Sequence, residues 1–289
     1  MYYALIMLST LTFSGCFALN DVYRKLQGSG LKISFQFSFI GSVAGFVALT
    51  IINGMKFEFT WFTFIMAMIA TVNNFAFTYC SFKALDRINL SLYSLFSMLG
   101  GMAVPFLQGI LFYDEPLTLA KGLCFVFIVG ALALTVDKGK KDGGAIYYAM
   151  IFLLNGMSGV LSKIFIEADF AKTSEAGYTN LMSLCSVVVA GLVVVLMSAF
   201  HYGPPTKKVS LAGVAAGAAS GILSKVANWI LVIALAHVDA SVQYPMVTGG
   251  VMIFSTLVSC FGQNKPSKKE ILSIVVAFVG LLLLFAIKI

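Results

Sequence analysis

Hydrophobic residues in this chain form ten long runs that are separated by short polar stretches. Each run has about 18–25 residues, enough for an α-helix that rises about 1.5 Å per residue to cross roughly 30 Å of hydrocarbon. Strands of a membrane β-barrel would be shorter and would alternate apolar with polar residues. The pattern therefore predicts an all-α integral membrane protein with ten transmembrane helices. The predicted helices cover residues 2–19, 34–52, 60–84, 90–112, 117–136, 146–166, 177–200, 210–235, 241–261 and 270–288.

The stretch from residue 84 to residue 134 occurs again, without a gap, 150 residues later. The polar breaks also coincide in the two copies, which indicates a duplication of five helices, with repeats at 1–140 and 141–289. Because five is odd, the second copy must enter the membrane from the opposite face, so the repeats are predicted to be inverted. Identical residues occur at Ala84, Leu85, Ser91, Gly100, Met102, Leu107, Pro116, Val126, Val129, Gly130, Leu132 and Leu134 and 150 positions after each.

The basic residues predict the orientation. Thirteen of the 19 Lys and Arg residues lie in loops after odd-numbered predicted helices, four lie on the other face, and Lys163 and Lys225 lie inside helices. Cytoplasmic loops carry an excess of Lys and Arg. The sequence therefore predicts a multi-pass protein of the inner or plasma membrane with both termini outside the cytoplasm. Equivalent loops carry opposite charge, as inverted repeats require: Asp114-Glu115 aligns with a loop that contains Lys265.

Composition agrees with a membrane protein and excludes other classes. The chain is 60% hydrophobic and only 11% charged, whereas soluble domains carry about 25% charged residues. The net charge of +7 comes from small basic groups in short loops, so no nucleic-acid partner is expected. All five cysteines fall inside apolar runs without paired metal-ligand spacing, and they are expected to be free and structural, with no metal or cofactor.

One pattern occurs twice along the whole chain: Ala-Leu, several small or polar residues, Ser, an apolar run, a charged turn with Pro, and an apolar run ending in Gly. It resembles the EamA-type repeat of the drug/metabolite transporter superfamily. The turn Tyr113-Asp114-Glu115-Pro116-Leu117-Thr118 is similar to that family's Gly-Glu-x-x-Thr/Ser turn, whereas the second copy, Gly262-Gln263-Asn264-Lys265-Pro266-Ser267, lacks the Glu. The resemblance implies a ten-helix carrier that moves small metabolites by alternating access, most members being exporters.

Lys225 is the strongest candidate for substrate recognition. It lies about 21 Å from Leu211 and about 15 Å from Leu235, farther than a lysine side chain reaches. A mid-helix lysine costs about 2.5–3.5 kcal/mol to insert into a membrane, which argues for a role. The alternative is a structural lysine satisfied by carbonyls and hydroxyls between helices. A functional Lys225 is expected to line a solvent-reachable cavity and to bind a carboxylate or phosphate.

Other polar residues lie at similar depth and must face protein or solvent, because an unpaired amide in lipid is costly. Each could contact the ligand or form an interhelical hydrogen bond. Lys163 lies three residues from its predicted helix end and is expected to reach the lipid headgroups as an anchor. The further substrate-binding candidates are Asn228, Asn73, Asn74, Tyr244, Tyr93 and Asn155.

All 12 acidic residues fall in loops or near predicted helix ends, so the buried carboxylate that a proton-coupled carrier often uses is not evident, and a cationic substrate is disfavoured. The chain also shows no catalytic triad or phosphate-binding loop, and no enzyme activity is expected. Two classes stay open. One is a secondary transporter for a small anionic or zwitterionic metabolite, as monomer or homodimer in the lipid bilayer. The other is a non-transporting membrane protein, such as a channel, a lipid-handling protein or an assembly partner.

Overall fold

The computed structural model describes residues 1–28, 31–85, 90–134, 145–200, 209–260 and 268–286. Within these residues the chain forms ten α-helices and no strand, which confirms the predicted all-α class. The helices are α1 (Tyr2–Gln27), α2 (Leu31–Ile52), α3 (Trp61–Leu85), α4 (Leu90–Phe112), α5 (Leu119–Leu134), α6 (Ala145–Glu167), α7 (Glu175–Ala199), α8 (Leu211–Leu235), α9 (Ala240–Cys260) and α10 (Lys268–Ala286).

The largest boundary difference is at the end of α1, which continues to Gln27 instead of ending at residue 19. The added segment contains Arg24, Lys25 and Leu26, residue types with high helix propensity. The prediction ended the helix where the apolar run ends, whereas a helix continues through polar residues that favour the helical backbone conformation. The polar end of α1 is therefore helical as well.

The end of α2 shows how the chain turns sharply between helices. Gly54 has a φ of 64°, a left-handed conformation that glycine adopts without a Cβ clash. The N–H of Met55 donates to the carbonyl of Thr50 at 2.9 Å, and the N–H of Gly54 donates to Ile51 at 3.0 Å. This pair of bonds is a Schellman motif, which satisfies the last carbonyls of the helix.

Among the described residues, four helical segments are long and apolar enough to cross a membrane by length and composition. They are Leu31–Ile52, Ala149–Glu167, Glu175–Ala199 and Leu211–Leu235. These segments support a membrane protein with several spans. That all ten helices cross the bilayer stays a prediction.

The structure divides into two compact units. Unit 1 contains Met1–Leu11, Asn73–Glu167 and Ile233–Ile289, and unit 2 contains Thr12–Val72 and Ala168–Val232. Each unit takes helices from both halves of the sequence. In unit 1, α4 and α5 join α6, α9 and α10, and in unit 2, α2 joins α7 and most of α8.

In unit 1, α4 packs on α6 and α9, and α5 packs on α10. Small residues bring these helices close together. Gly100 of α4 lies directly against the backbone of Phe152 in α6, and a Cβ on Gly280 would lie 2.7 Å from Phe127. Helix packing in lipid depends on such close approach, since lipid tails provide no hydrophobic driving force between helices.

In unit 2, α2 packs along α7, and the Nδ2 of Asn180 donates to the hydroxyl of Thr50 at 3.0 Å. On another side, Gly41 of α2 touches the backbone of Gly221 in α8. These contacts place the second half of α2 beside the middle of α8, where the main candidate residue lies.

Candidate functional site

Lys225 lies in the middle of α8, in a segment of membrane length. Its aliphatic stem lies against α2, at a position where a Cβ on Gly45 would be 2.5 Å from the Lys225 Cγ. The side chain is partly exposed, and no residue that the structure describes forms a hydrogen bond or ion pair with it. Lys225 therefore combines a position in the middle of a membrane-length helix with an ammonium that has no counter-charge among the described side chains.

Asn228 lies three residues after Lys225 on neighbouring positions of the same helix surface. Its Nδ2 atom is buried and has no hydrogen-bond partner in the described part of the chain. A buried donor without an acceptor costs about 1–3 kcal/mol. The middle of α8 thus carries two donor groups, an ammonium and an amide, for which the described residues of unit 2 supply no acceptor.

Three of the other candidates meet along α6 in unit 1. The Nδ2 of Asn73 donates to the carbonyl of Leu154 at 2.9 Å, and the Nδ2 of Asn155 donates to Ser97 at 2.6 Å. The hydroxyl of Tyr244 donates to the carbonyl of Gly159 at 3.0 Å. All three side chains therefore form interhelical hydrogen bonds, which is one of the two roles that the sequence left open.

The remaining candidates are less informative. Asn74 is exposed on α3, and Tyr93 falls in the first turn of α4, where its side chain lies outside the described part of the structure. Lys225 and Asn228 belong to unit 2, whereas Asn73, Asn155 and Tyr244 belong to unit 1. One cavity lined by all of them stays a prediction.

The expectation that Lys163 is a headgroup anchor is wrong. Its exposed fraction is only 4%, and its Nζ forms ion pairs with Glu115 at 3.0 Å and Glu167 at 2.8 Å. The Nζ also lies 5.2 Å from the centre of the Tyr113 ring. Distance from the helix end placed Lys163 near the membrane surface, but the connection after α4 folds over it.

Glu115 lies in the α4–α5 connection, as the sequence predicts, but it is buried, with an exposed fraction of 7%. It accepts hydrogen bonds from the backbone N–H groups of Ala240 and Ser241 at 2.9 Å each, and from the Ser241 hydroxyl at 2.6 Å. These are the first N–H groups of α9, which have no partner inside their own helix. A carboxylate at a helix N-terminus is also favoured by the helix dipole. Glu115 is thus the N-terminal cap of α9, although it belongs to the α4–α5 connection.

The backbone around Glu115 explains how it arrives there. Asp114 has a φ of 51°, so the chain reverses at the end of α4 and the N–H of Glu115 donates to Gly109 at 3.2 Å. The side chain then lies against Gly109, where a Cβ would be 2.5 Å from Oε2. Burial raises the pKa of Glu115, but the bonds from Ser241, Lys163 and Ala240 outweigh it, and the net pKa is below its ordinary value. The carboxylate is ionised and fully engaged, so it offers no free position to a cation.

A second ion pair lies beside this cluster. Lys121, which the charge count assigns to the less basic face, is in α5 and has an exposed fraction of 5%. Its Nζ lies 2.7 Å from the carboxylate of Asp239, next to the start of α9. Two buried lysines, each paired with acidic residues, therefore lie near one helix N-terminus in unit 1.

Unit 2 contains a related arrangement at the start of α7. Glu58, from the α2–α3 connection, accepts from the Ser174 N–H and from its hydroxyl, both at 2.7 Å. The same Ser174 hydroxyl accepts from the Gly177 N–H at 3.1 Å and caps the helix. Burial raises the pKa of Glu58, but the hydrogen bonds from Ser174 and Asn53 lower it by a larger amount. The net pKa is therefore below the ordinary value of a glutamate.

Sequence reasoning missed Glu115, Lys163 and Glu58 as members of buried or capping clusters. The sequence contains only local signals for these clusters. They are the turn at Asp114-Glu115-Pro116 and the serines at the starts of two helices, Ser174 before α7 and Ser241 in α9. The partners come from connections far along the chain, and only the fold brings them together.

Comparison with known proteins supports the fold alone. No protein-family model and no curated protein matches this sequence. Twenty-nine chains of solved structures do match it. One of them, described only as a crystal structure of a protein, superposes with a TM-score of 0.75 over 98% of this chain and 98% of that chain, at 16% sequence identity. At this identity the likeness establishes a shared arrangement of helices and nothing about activity.

Proposed function

We propose that this protein is a secondary transporter that moves a small anionic or zwitterionic metabolite across a membrane by alternating access. We further propose that it is a member of the drug/metabolite transporter superfamily, an exporter of the EamA type with ten spans in two inverted repeats. The proposal places the substrate's carboxylate or phosphate against Lys225.

The state of Lys225 is the single observation that carries this proposal. A lysine in the middle of a membrane-length helix costs about 2.5–3.5 kcal/mol to insert. An unpaired charge at this depth in a membrane is costly, and such residues normally pair with one another or with backbone carbonyls, or mark a substrate pathway. Among the described residues no group has that role for Lys225. A transported anion supplies the missing charge when it is bound.

The chemistry of Asn228 supports the same class of ligand. The Lys225 ammonium offers only donors, and the unpaired atom of Asn228 is the donor Nδ2. The two residues are about 4.5 Å apart along the axis of α8. A carboxylate or phosphate has several acceptor oxygens and satisfies both donors, whereas a cation would leave them unpaired and be repelled by the ammonium.

Solute flux into proteoliposomes tests the proposal. A thermal-shift screen of small carboxylates, phosphates and amino acids on the purified protein first selects a ligand, because only binding to the folded state raises the midpoint. We expect Lys225→Ala to abolish flux of that solute while the protein stays folded. Lys225→Arg should recover only part of it, since a planar guanidinium does not replace a compact ammonium.

Lys56→Ala is the matched control, because Lys56 is an exposed lysine in the α2–α3 connection. It should leave flux unchanged. Wild-type flux in the Lys225→Ala variant would refute the assignment of this residue. Absence of flux for every solute that stabilises the protein would favour the non-transporting alternatives instead.

A further inference from the structure

A row of glycines in unit 2 serves two different purposes. Gly41 of α2 meets Gly221 of α8 backbone to backbone, the close approach that small residues allow between helices. One turn later, Gly45 meets the stem of Lys225 instead of a backbone segment. The spacing of four residues on both helices keeps the two contacts on one seam. Of the four residues in these two contacts, three are glycines and the fourth is Lys225.

The space that Gly45 leaves open is the space that Lys225 occupies. A Cβ on Gly45 would lie 2.5 Å from the Lys225 Cγ, and 3.2 Å from both the Lys225 Cβ and the Gly221 carbonyl oxygen. Carbon atoms in contact are normally about 3.5–4.0 Å apart. Because the Cγ belongs to the base of the side chain, relief of this clash requires a change of the Lys225 rotamer or a shift of α8.

We propose that Gly45 is the positioning residue for Lys225: the missing side chain forms a notch that fixes the lysine stem and hence the place of its ammonium. This inference rests on the proposed function for its importance in transport. The geometry itself is independent of that function, since the notch and the stem are described whether or not an anion is carried. Gly45 thus acts through Lys225 and need not touch the substrate.

Three alanine variants separate positioning from helix packing. Gly45→Ala introduces the clash with the lysine stem. Gly41→Ala introduces a Cβ whose nearest atoms belong to the backbone of Gly221, with the Cα at 3.2 Å, and of Gly217, so it tests helix packing. Gly15→Ala, in the α1 part of unit 2, places a Cβ in open space with nothing within 4 Å and is the neutral control.

The readout is the reaction of Lys225 with a water-soluble acylating reagent, measured by mass spectrometry of the Lys225 peptide in the purified protein. We expect Gly45→Ala to change the acylation rate severalfold, while Gly41→Ala and Gly15→Ala keep the wild-type rate. Inorganic phosphate serves as the anion probe, and its half-protecting concentration should rise by about tenfold in Gly45→Ala, the order of one misplaced charge-assisted hydrogen bond.

The possible outcomes distinguish the two proposals. An acylation rate in Gly45→Ala equal to that of Gly15→Ala overturns the positioning role, whatever the flux. If phosphate fails to protect Lys225 even in the wild-type protein, anion recognition is in error, while the acylation rates still decide the role of Gly45. If Gly45→Ala does not fold, the double variant Gly45→Ala/Lys225→Ala decides: recovery of folding shows that the clash was with the lysine stem, and continued misfolding overturns the proposal.

Discussion

Removal of the Glu115 carboxylate is the sharpest test of the buried cluster at the start of α9. Glu115→Ala takes away the acceptor for two backbone N–H groups and for the Ser241 hydroxyl. It also leaves Lys163, whose side chain is 5% exposed, with Glu167 as its ion-pair partner. The substitution therefore removes a helix cap and one half of a buried ion pair together.

The expected cost follows from these two losses. Breaking a buried ion pair by removing one partner costs about 3–5 kcal/mol, and loss of an N-cap costs about 1 kcal/mol. The two terms share the same carboxylate and are not additive, so we expect Glu115→Ala to lower the free energy of unfolding by about 3–5 kcal/mol. Glu115→Gln keeps an acceptor oxygen but points its amide donor at another donor, and we expect about 2 kcal/mol.

Equilibrium unfolding in mixed detergent micelles measures the difference. Glu167→Gln is the matched control, because it removes the other carboxylate from the same lysine, but that carboxylate is 41% exposed. An exposed partner contributes about 1 kcal/mol or less. If Glu115→Ala unfolds with the same free energy as Glu167→Gln, the cluster does not stabilise the fold and the argument from burial is refuted.

Two further predictions concern the same capping carboxylates. The pKa of Glu115 and that of Glu58 are both below the ordinary value of 4.5, so each carboxylate adds stability above that pH and loses it as the pH falls through the lowered pKa. A series of melting temperatures from pH 7 downward should therefore stay level and decline only below about 4.5. A decline that begins near pH 6 would contradict this assignment. Glu58→Ala should destabilise the protein by about 1 kcal/mol, because it removes the acceptor of the Ser174 N–H at the start of α7. The loss should be smaller than in Glu115→Ala, because Glu58 binds Ser174 in a more exposed setting without a buried lysine. An equal loss in both variants, measured by the same unfolding experiment, would show that burial of the ion pair is not what separates them.

The helices could be predicted from the sequence because each one depends on a local property, the length of an apolar run. The depth of Lys225 followed from the same local count. Its lack of a partner among the described residues could not be predicted, since that depends on which side chains of α2 and the neighbouring helices face it. Gly45 gave no signal in the sequence, because a glycine in an apolar run is ordinary until its neighbour is known.

The wrong expectation for Lys163 and the unpredicted burial of Glu115 have one physical reason. Both lie near helix ends, and position along a helix was taken as a measure of access to water. Burial at a helix end depends instead on the path of the connecting segment, which here reverses at Asp114. A local sequence pattern can predict the turn itself, but it cannot predict which helices the turn packs against.

The two capping glutamates also bear on how the chain is made. Each precedes in sequence the helix whose start it contacts: Glu58, which binds the capping residue Ser174, comes before α7, and Glu115 comes before α9. During synthesis from the N-terminus, the acceptor is therefore already present when the new helix emerges with bare N–H groups at its start. The order of residues thus lets each later helix find a hydrogen-bond partner for its first turn in protein that has already been synthesised.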